Sequence, residues 1–416
     1  MTSKQNNKEA YVWIWLPGET EPVVAGKLEA DGEFVQFNYG RSYLERPNAI
    51  PIYAPELPLQ PGVLPLLDNL NIPNSIRDAA PDAWGRRVII NRQLGIKGHD
   101  TDTADLDELT YLLESGSDRI GALDFQRSPT EYIPRAANNA RLEELLESAD
   151  RVEKGVLLTS ELDQALFYGS SIGGARPKAL IEDHGTKYIA KFPSSTDTYS
   201  VIKAEYIAMR MADMVGLDVA PVRMVKAAGK DVLLIKRFDR VRVASGWERK
   251  SMVSALTLFG LSDMTARYAS YEEFAQIIRA RFTNPKQTLH ELYGRLVFNI
   301  LCSNTDDHAR NHAAFWDGRE LTLTSAYDIC PQNRSGNEAT QAMLIIGDNK
   351  FSQLKTCLAA AHHFQLAKGE AEDVFDKTEA TIRDNWDSVC EETELGPADK
   401  VLLWERQFLN PFSTER

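Results

Sequence analysis

An apolar helix that runs straight into a cluster of charges constrains this chain more than any other feature. The run ELYGRLVFNILC, ending at Cys302, has the apolar density of a core helix, and SNTDDHARNHAAFWD, residues 303–317, follows it with no spacer. A helix this apolar is buried, so the polar loop begins at the edge of a core, where carboxylates and imidazoles need partners. Two adjacent aspartates, two histidines and an asparagine leave three readings open: a metal-binding cluster, a loop carrying a general base, or a solvated turn.

The rest of the composition narrows the class. With 416 residues, 43% hydrophobic and 26% charged, the chain is long enough for two or three domains with sizeable cores. Lys and Arg number 47 against 60 Asp and Glu, a net charge of −13. That balance argues against unaided, sequence-independent binding to phosphate backbones, while local basic patches and contact through a basic partner stay open. Cys302, Cys330, Cys357 and Cys390 form no CxxC pair, which fits reduced, buried thiols in a cytosolic protein. The polar start MTSKQNNKEA has no signal-peptide pattern, and no run approaches the roughly 18 apolar residues of a membrane span. The expectation is a cytoplasmic protein with no membrane contact.

Along the chain, short apolar runs broken by turn formers over residues 11–60 predict a small antiparallel sheet. IRDAAPDAWGRRVIINRQLG predicts one helix over about 76–95, ended by Gly95, and DLDELTYLLESG a second, before the strand-like RIGALDF. RLEELLESADR predicts a helix over 141–151. Two strands, GSSIGGARPKALI and KYIAKFP, are joined by the turn-forming EDHG, and a helix SVIKAEYIAMRMADMVG ends at Gly216. VLLIKRF adds a buried strand, and from residue 251 the pattern is almost wholly helical except near 303–350. These segments suggest units at about 10–128, 129–240 and 241–416.

Four separated signals carry chemistry. Ser170-Ser171-Ile172-Gly173-Gly174-Ala175-Arg176-Pro177-Lys178 places a glycine pair between strand-like flanks, which lets a backbone approach phosphate oxygens closely. It is neither GxGxxG nor GxxxxGK[ST], and a Gly-rich hairpin turn is the plain alternative. Lys191 ends the strand KYIAKF as the lysine of a kinase V-A-I-K strand does, and Glu205 follows 14 residues later in the next helix. The plain alternatives are a snorkelling lysine and a solvated glutamate. Asp306 and Asn311 have the D-x-x-x-x-N separation of a kinase catalytic loop, whereas Asp307 is one residue too close. Such chemistry needs a carboxylate to accept the hydroxyl proton and a neutral oxygen ligand for magnesium. Tyr327-Asp328-Ile329 then sets a carboxylate after the strand LTLTSA, where a hard cation finds an oxygen ligand. His308 and His312, at i and i+4, offer a competing zinc or iron hydrolase site with Asp306 or Asp328, although HARNH lacks the glutamate of HExxH.

The ordered set GSSIGGARPKA, YIAKFP, KRFDR, NTDDHARN and AYDICP resembles the HipA family of serine/threonine kinases, toxins of bacterial type II toxin–antitoxin modules linked to persistence. VAGKL, LLDNLNIPNSIRDAAPDAW and ESGSDRIGAL resemble the family's N-terminal region, so nearly the whole chain is covered. The resemblance implies an α+β, protein-kinase-like two-lobed fold with a β-rich N-terminal subdomain and an all-α C-terminal lobe. It implies Asp306 as catalytic base, Asn311 and Asp328 as Mg²⁺ ligands, and His308 and Tyr327 beside the nucleotide. Gly173, Gly174, Ala175, Arg176, Pro177 and Lys178 would form the ATP phosphate loop, with Lys191 on the phosphates and Glu205 as its partner. Lys236-Arg237-Phe238 matches the hinge whose backbone meets adenine; lysine at 236 replaces the family's acidic residue. Ser171, or the adjacent Ser170, aligns with the serine that such kinases autophosphorylate to expel the loop, which two added negative charges would favour. The implied partners are a HipB-like helix-turn-helix antitoxin, DNA through that antitoxin, and a translation-related protein substrate such as an aminoacyl-tRNA synthetase. A catalytically weak regulator that works by binding the antitoxin and operator DNA is the alternative from another class.

Overall fold

The computed structural model describes residues 7–94, 106–135, 141–154, 156, 172–334 and 336–416. The chain divides into two compact units. The first is Met1–Thr196 with Lys226–Val253 and Trp316–Arg319; the second is Asp197–Val225 with Ser254–Phe315 and Glu320–Arg416.

In the first unit, β1 (Glu9–Ile14), β2 (Val23–Asp31), β3 (Phe34–Tyr39), β4 (Val63–Leu64) and β5 (Leu123–Gln126) form one antiparallel sheet in the order β4-β3-β2-β1-β5. Its apolar face, including Val12, Ile14, Leu28, Phe37 and Phe125, makes the core. Gly26 sits where the β1–β2 register shifts, and a Cβ there would lie 2.1 Å from the Asn38 carbonyl oxygen. Only glycine lets the two backbones approach so closely.

The same unit holds α1 (Arg41–Leu44), α2 (Asn74–Arg77), α3 (Ala83–Leu94), α4 (Glu108–Glu114) and α5 (Leu142–Glu153). The single helix expected over 76–95 is thus two helices. Pro81 has no N–H and crowds the preceding turn, and Asp82 restarts the helix by accepting the Ala83 N–H at 2.8 Å. Gly95 lies outside the described residues. α3 is tied to α4 by Arg86, which grips Glu108 through two bonds of 2.8 Å.

A second antiparallel sheet in the same unit pairs β6 (Lys178–Asp183) with β7 (Thr186–Lys191). After β8 (Val222–Ala227), whose last two residues belong to this unit, β9 (Lys230–Lys236) runs antiparallel to β7. The turn between β6 and β7 is the predicted EDHG, with His184 and Gly185 both at positive φ. That is the backbone a two-residue hairpin requires.

A buried ionic cluster joins the two sheets. Arg237, just past β9, donates to Asp239 at 2.9 and 2.7 Å and to Asp118 at 3.0 Å. Arg240 donates to Asp118 at 3.0 Å and to Asp239 at 2.9 Å, and Lys187 of β7 reaches Asp118 at 2.5 Å. Asp239 also accepts the Gly121 N–H at 2.8 Å. Burial alone would raise the Asp239 carboxyl, but Arg237 and Arg240 outweigh it and hold its pKa at about 2. Burial and the like charge of Arg237 lower Arg240 to about 10, so it stays charged at neutral pH.

The second unit is mainly helical. α6 (Val201–Val215) ends at Gly216, which takes φ 96 as its C-cap. α7 (Ala255–Phe259), α8 (Tyr271–Arg281) and α9 (Pro285–Leu301) follow, then α10 (Leu354–Ala360), α11 (Lys368–Glu392) and α12 (Pro397–Leu403). α9 is the spine: every residue from Leu292 to Leu301 is buried. The helical pattern is interrupted by two short strands, Ala313–Trp316 and Leu321–Leu323.

Removing one carboxylate from the ionic cluster strands buried guanidinium groups. Asp239→Ala is expected to destabilise the protein by about 3–5 kcal/mol, read as a lower urea midpoint at neutral pH. Folding depresses the Asp239 pKa from near 4 to about 2, so its contribution is present above pH 4 and is lost as pH falls through that window. The wild-type advantage over Asp239→Ala should therefore shrink between pH 4 and pH 2.

Candidate active site

The polar loop is built on the end of α9. Ser303 leaves the helix at φ 56 and is fully buried; its hydroxyl donates to the Gln407 carbonyl at 2.6 Å. The buried Asn304 returns to Asn299 through its backbone N–H at 2.8 Å and its side-chain amide at 3.1 Å. These bonds satisfy the helix C-terminus and fix where the next residues begin.

The two aspartates then diverge. Asp307 turns inward and is buried, where it accepts from the Tyr271 hydroxyl and pairs with His312 Nε2 at 3.0 Å. Burial pushes its carboxyl up, but His312 and the hydrogen bonds prevail and hold it below the usual carboxylate range. Asp306 keeps an exposed surface. Its carboxyl is nonetheless crowded by protein, and that desolvation, with the negative charges of Asp328 and Asp307, raises its pKa against the opposing His308. The first aspartate stays at the surface with its pKa raised, and the second is anchored in the core.

Asn311 donates its side-chain amide to the Asp306 carbonyl at 3.2 Å. Only the nitrogen can make that bond, so Oδ1 is left as the acceptor a hard cation would use. Asp328 has φ 57, a left-handed backbone that aspartate adopts at some cost. Tyr327 next to it donates its hydroxyl to the Arg310 carbonyl at 2.7 Å, fastening the 326–328 segment to the loop. Behind it, the buried Arg295 of α9 donates to the Thr324 carbonyl at 2.9 Å and the Asp218 carbonyl at 3.1 Å. Ala326 in turn bonds Asp218 and Ala220 through its backbone. Asp306, Asn311 and Asp328 therefore come together, and the mutual repulsion of Asp306 and Asp328 is what a divalent cation relieves. Asp328 and Asn311 would offer it one carboxylate and one amide oxygen, hard donors of the kind magnesium takes.

The histidine pair does not support the hydrolase alternative. Residues 308–312 are a short 3-10 turn with extended ends, not an α-helix, so the i, i+4 spacing does not put both rings on one face. His312 is committed to Asp307 in the core. Among the described residues, no group of three or more His, Cys, Asp or Glu is placed to hold a metal ion.

The remaining expected residues belong to the first unit, apart from Glu205. Gly173–Lys178 lies against α3, and Lys178 faces Lys191 across the β6–β7 register. Both lysines are buried, so Lys191 does not snorkel to water. Lys236 is exposed, and the Arg237 side chain is taken up by the ionic cluster, with its N–H donated to the Lys187 carbonyl at 2.9 Å. Phe238 is half-buried. Glu205 is fully buried in α6, not solvated. Ser170 and Ser171 lie outside the described residues. Tyr271 and Arg295 were not evident in the sequence, and His312, read there as a candidate metal ligand, is the partner of Asp307 instead.

Two families match the chain: the HipA N-terminal domain over residues 14–126 and the HipA-like C-terminal domain over residues 170–386. A putative kinase, Y4mE, of Sinorhizobium fredii is 29% identical over 147 residues, 34% of this chain and 33% of that protein. The serine/threonine-protein kinase toxin HipA of Shewanella oneidensis is 22% identical over 202 residues, 43% of this chain and 47% of that one. The chain thus spans a third to a half of the length of these curated relatives. Among solved structures, the Shewanella oneidensis HipA, HipB and operator DNA complex contains a chain with a TM-score of 0.68 and 19% identity, covering 96% of this chain and 99% of that one.

A carboxyl whose pKa is raised by folding contributes stability below its unfolded value, near 4, and loses it as pH rises through the folded value. Asp306 is therefore a liability at neutral pH. Asp306→Asn is expected to raise the thermal midpoint at pH 7 and to have no effect below about pH 4, while Asp307→Asn lowers it; a lower midpoint for Asp306→Asn at pH 7 would show the carboxylate to be stabilising.

Proposed function

The chain belongs to the HipA family, and on that premise we propose that it is an ATP- and Mg²⁺-dependent serine/threonine protein kinase acting as the toxin of a type II toxin–antitoxin pair. The observation that carries this reading is the convergence of Asp306, Asn311 and Asp328, with the Asp306 pKa raised where a general base is needed. Asp306 accepts the proton of the attacking hydroxyl. Its rise from the ordinary carboxylate value strengthens it as a base.

Asn311 and Asp328 would hold Mg²⁺, which neutralises charge on the transferring phosphoryl group. The amide of Asn311, pinned to the Asp306 backbone, keeps ligand and base in one frame. Lys191 and the Gly173–Lys178 loop bind the ATP phosphates, while the Arg237 carbonyl and Phe238 meet the adenine. Glu205 is the proposed partner of Lys191, and His308 and Tyr327 flank the nucleotide.

The partner is a HipB-like helix-turn-helix antitoxin, with DNA met through it. The net charge of −13 suits a basic partner, and the structurally similar Shewanella protein was solved with HipB and operator DNA. The substrate is a protein, of the translation apparatus by family likeness, and the place of action is the cytoplasm. Among the described residues no helix is long and apolar enough to cross a membrane.

Purified protein, phosphatase-treated and then given labelled ATP and Mg²⁺, should incorporate label on Ser171 or Ser170. Asp306→Ala should reduce incorporation by roughly 10²–10⁴-fold with an unchanged fold by circular dichroism. Absence of label from the wild type would leave the regulator that acts by complex formation; retained transfer in Asp306→Ala would assign the base elsewhere.

A further inference from the structure

Gly174, in the middle of the loop proposed to bind phosphate, already donates its N–H to a carboxylate. Asp82 stands immediately before α3, and its two oxygens do different work. Oδ1 accepts the Ala83 N–H at 2.8 Å and caps the helix; Oδ2 accepts the Gly174 N–H at 3.1 Å. The clasp is reciprocal. Trp84 donates its N–H to the Gly174 carbonyl at 3.1 Å, and its buried indole Nε1 donates to the Lys178 carbonyl at 3.1 Å. Arg87 adds a bond to the Ala175 carbonyl at 3.1 Å. The loop is thereby sewn at three of its residues to the first turns of α3.

The left-handed backbone of Gly174 is what makes this contact possible. Gly174 has φ 100, and a Cβ on it would lie 2.2 Å from Lys178 Nζ. Lys178 Nζ itself turns back to the Gly173 carbonyl. A Cβ on Gly173 would meet the Asp82 side chain at 3.9 Å. A backbone N–H presented by a glycine in this conformation is an anion donor, the element from which phosphate-binding nests are made. Here the anion it holds is part of the protein.

We propose that Asp82 is a latch on the nucleotide site: its carboxylate occupies the Gly174 N–H in place of a phosphate oxygen, and nucleotide binding exchanges one for the other. The inference rests on the reading of Gly173–Lys178 as the ATP phosphate loop. Two effects oppose the nucleotide while the latch is closed. One donor is engaged, and a fixed negative charge stands beside the incoming triphosphate. Asp82 is half-buried, whereas Trp84 beneath it is fully buried. The carboxylate can therefore turn aside to water while the tryptophan keeps the loop on the helix.

The cap and the latch are separable by mutation, because asparagine and serine both cap helices as aspartate does. Asp82→Asn removes the charge, and the shorter Asp82→Ser also withdraws the oxygen from Gly174. Titrating the full chain and both variants with a fluorescent ATP analogue should show the dissociation constant falling by about fivefold to tenfold. The gain should be smaller in high salt, and it should fall on affinity and the KM for ATP, with the thermal midpoint little changed. Equal or weaker binding in both variants, with the wild type binding normally, overturns the latch and makes Asp82 a structural cap or a builder of the site. Failure of all three proteins to bind nucleotide overturns the ATP reading and the latch together.

Discussion

The first unit depends on one requirement: charges removed from water must be paired. Asp118, Arg119, Arg237 and Asp239 are drawn from segments more than a hundred residues apart, and they meet where neither sheet alone could satisfy them. Asp118 accepts from Lys187, Arg237 and Arg240 at once, and the Arg119 carbonyl takes Arg237 Nη2 at 2.6 Å. Arg119 itself is lowered by burial to about 10 and is held by Asp124 at 2.9 Å. Hydrophobic faces can slide against each other with little penalty, but a buried ion pair has one register. The cluster therefore fixes the strand that ends at Lys236 against the N-terminal sheet, and with it the backbone at 237–238.

The polar loop after α9 follows the same rule for one aspartate and departs from it for the other. Asp307 is satisfied by Tyr271 and His312 and its carboxyl is driven down; Asp306, its neighbour in sequence, is driven up by desolvation and by Asp328. One residue supplies the stability that lets the next be strained. Adjacent carboxylates with pKa values pushed apart by their surroundings are a common sign of divided roles. Asp328 adds backbone strain to the same place, at φ 57. A loop that folds around such a group needs rigid support, and Arg295 provides it by fixing the Thr324 and Asp218 carbonyls from inside α9.

How much of this could be read from sequence depended on distance along the chain. The Asp306–Asn311 separation was legible because both residues lie in one turn, as were the Gly216 cap and the His184-Gly185 hairpin. Pro81 was visible too, yet IRDAAPDAWGRRVIINRQLG reads as one run ending at Gly95, and two helices stand where one was expected. The spacing of His308 and His312 misled because i, i+4 has consequences only within an α-helix, and the chain there is extended at both residues. Arg237 read as part of a hinge; one partner of its side chain, Asp239, is two residues on, but the other, Asp118, lies 119 residues away. Long-range pairing of this kind leaves no local pattern, and the same holds for Asp82 and Gly174, 92 residues apart.

The separation between fixed and exchangeable contacts has a consequence for the N-terminal region. Its sheet and helices hold two parts proposed to contact the nucleotide. The ionic cluster holds the 237–238 backbone through the buried charges of Arg237, Arg240 and Asp239, which cannot be released without leaving ions unpaired. In the α3 clasp the Asp82 and Arg87 bonds are partly exposed, and water or a phosphate can replace them at small net difference, while the Trp84 bond to Lys178 is buried. The adenine-side backbone is therefore fixed while the phosphate-side loop is reversible. Of the two, only the loop is suited to change state with its ligand.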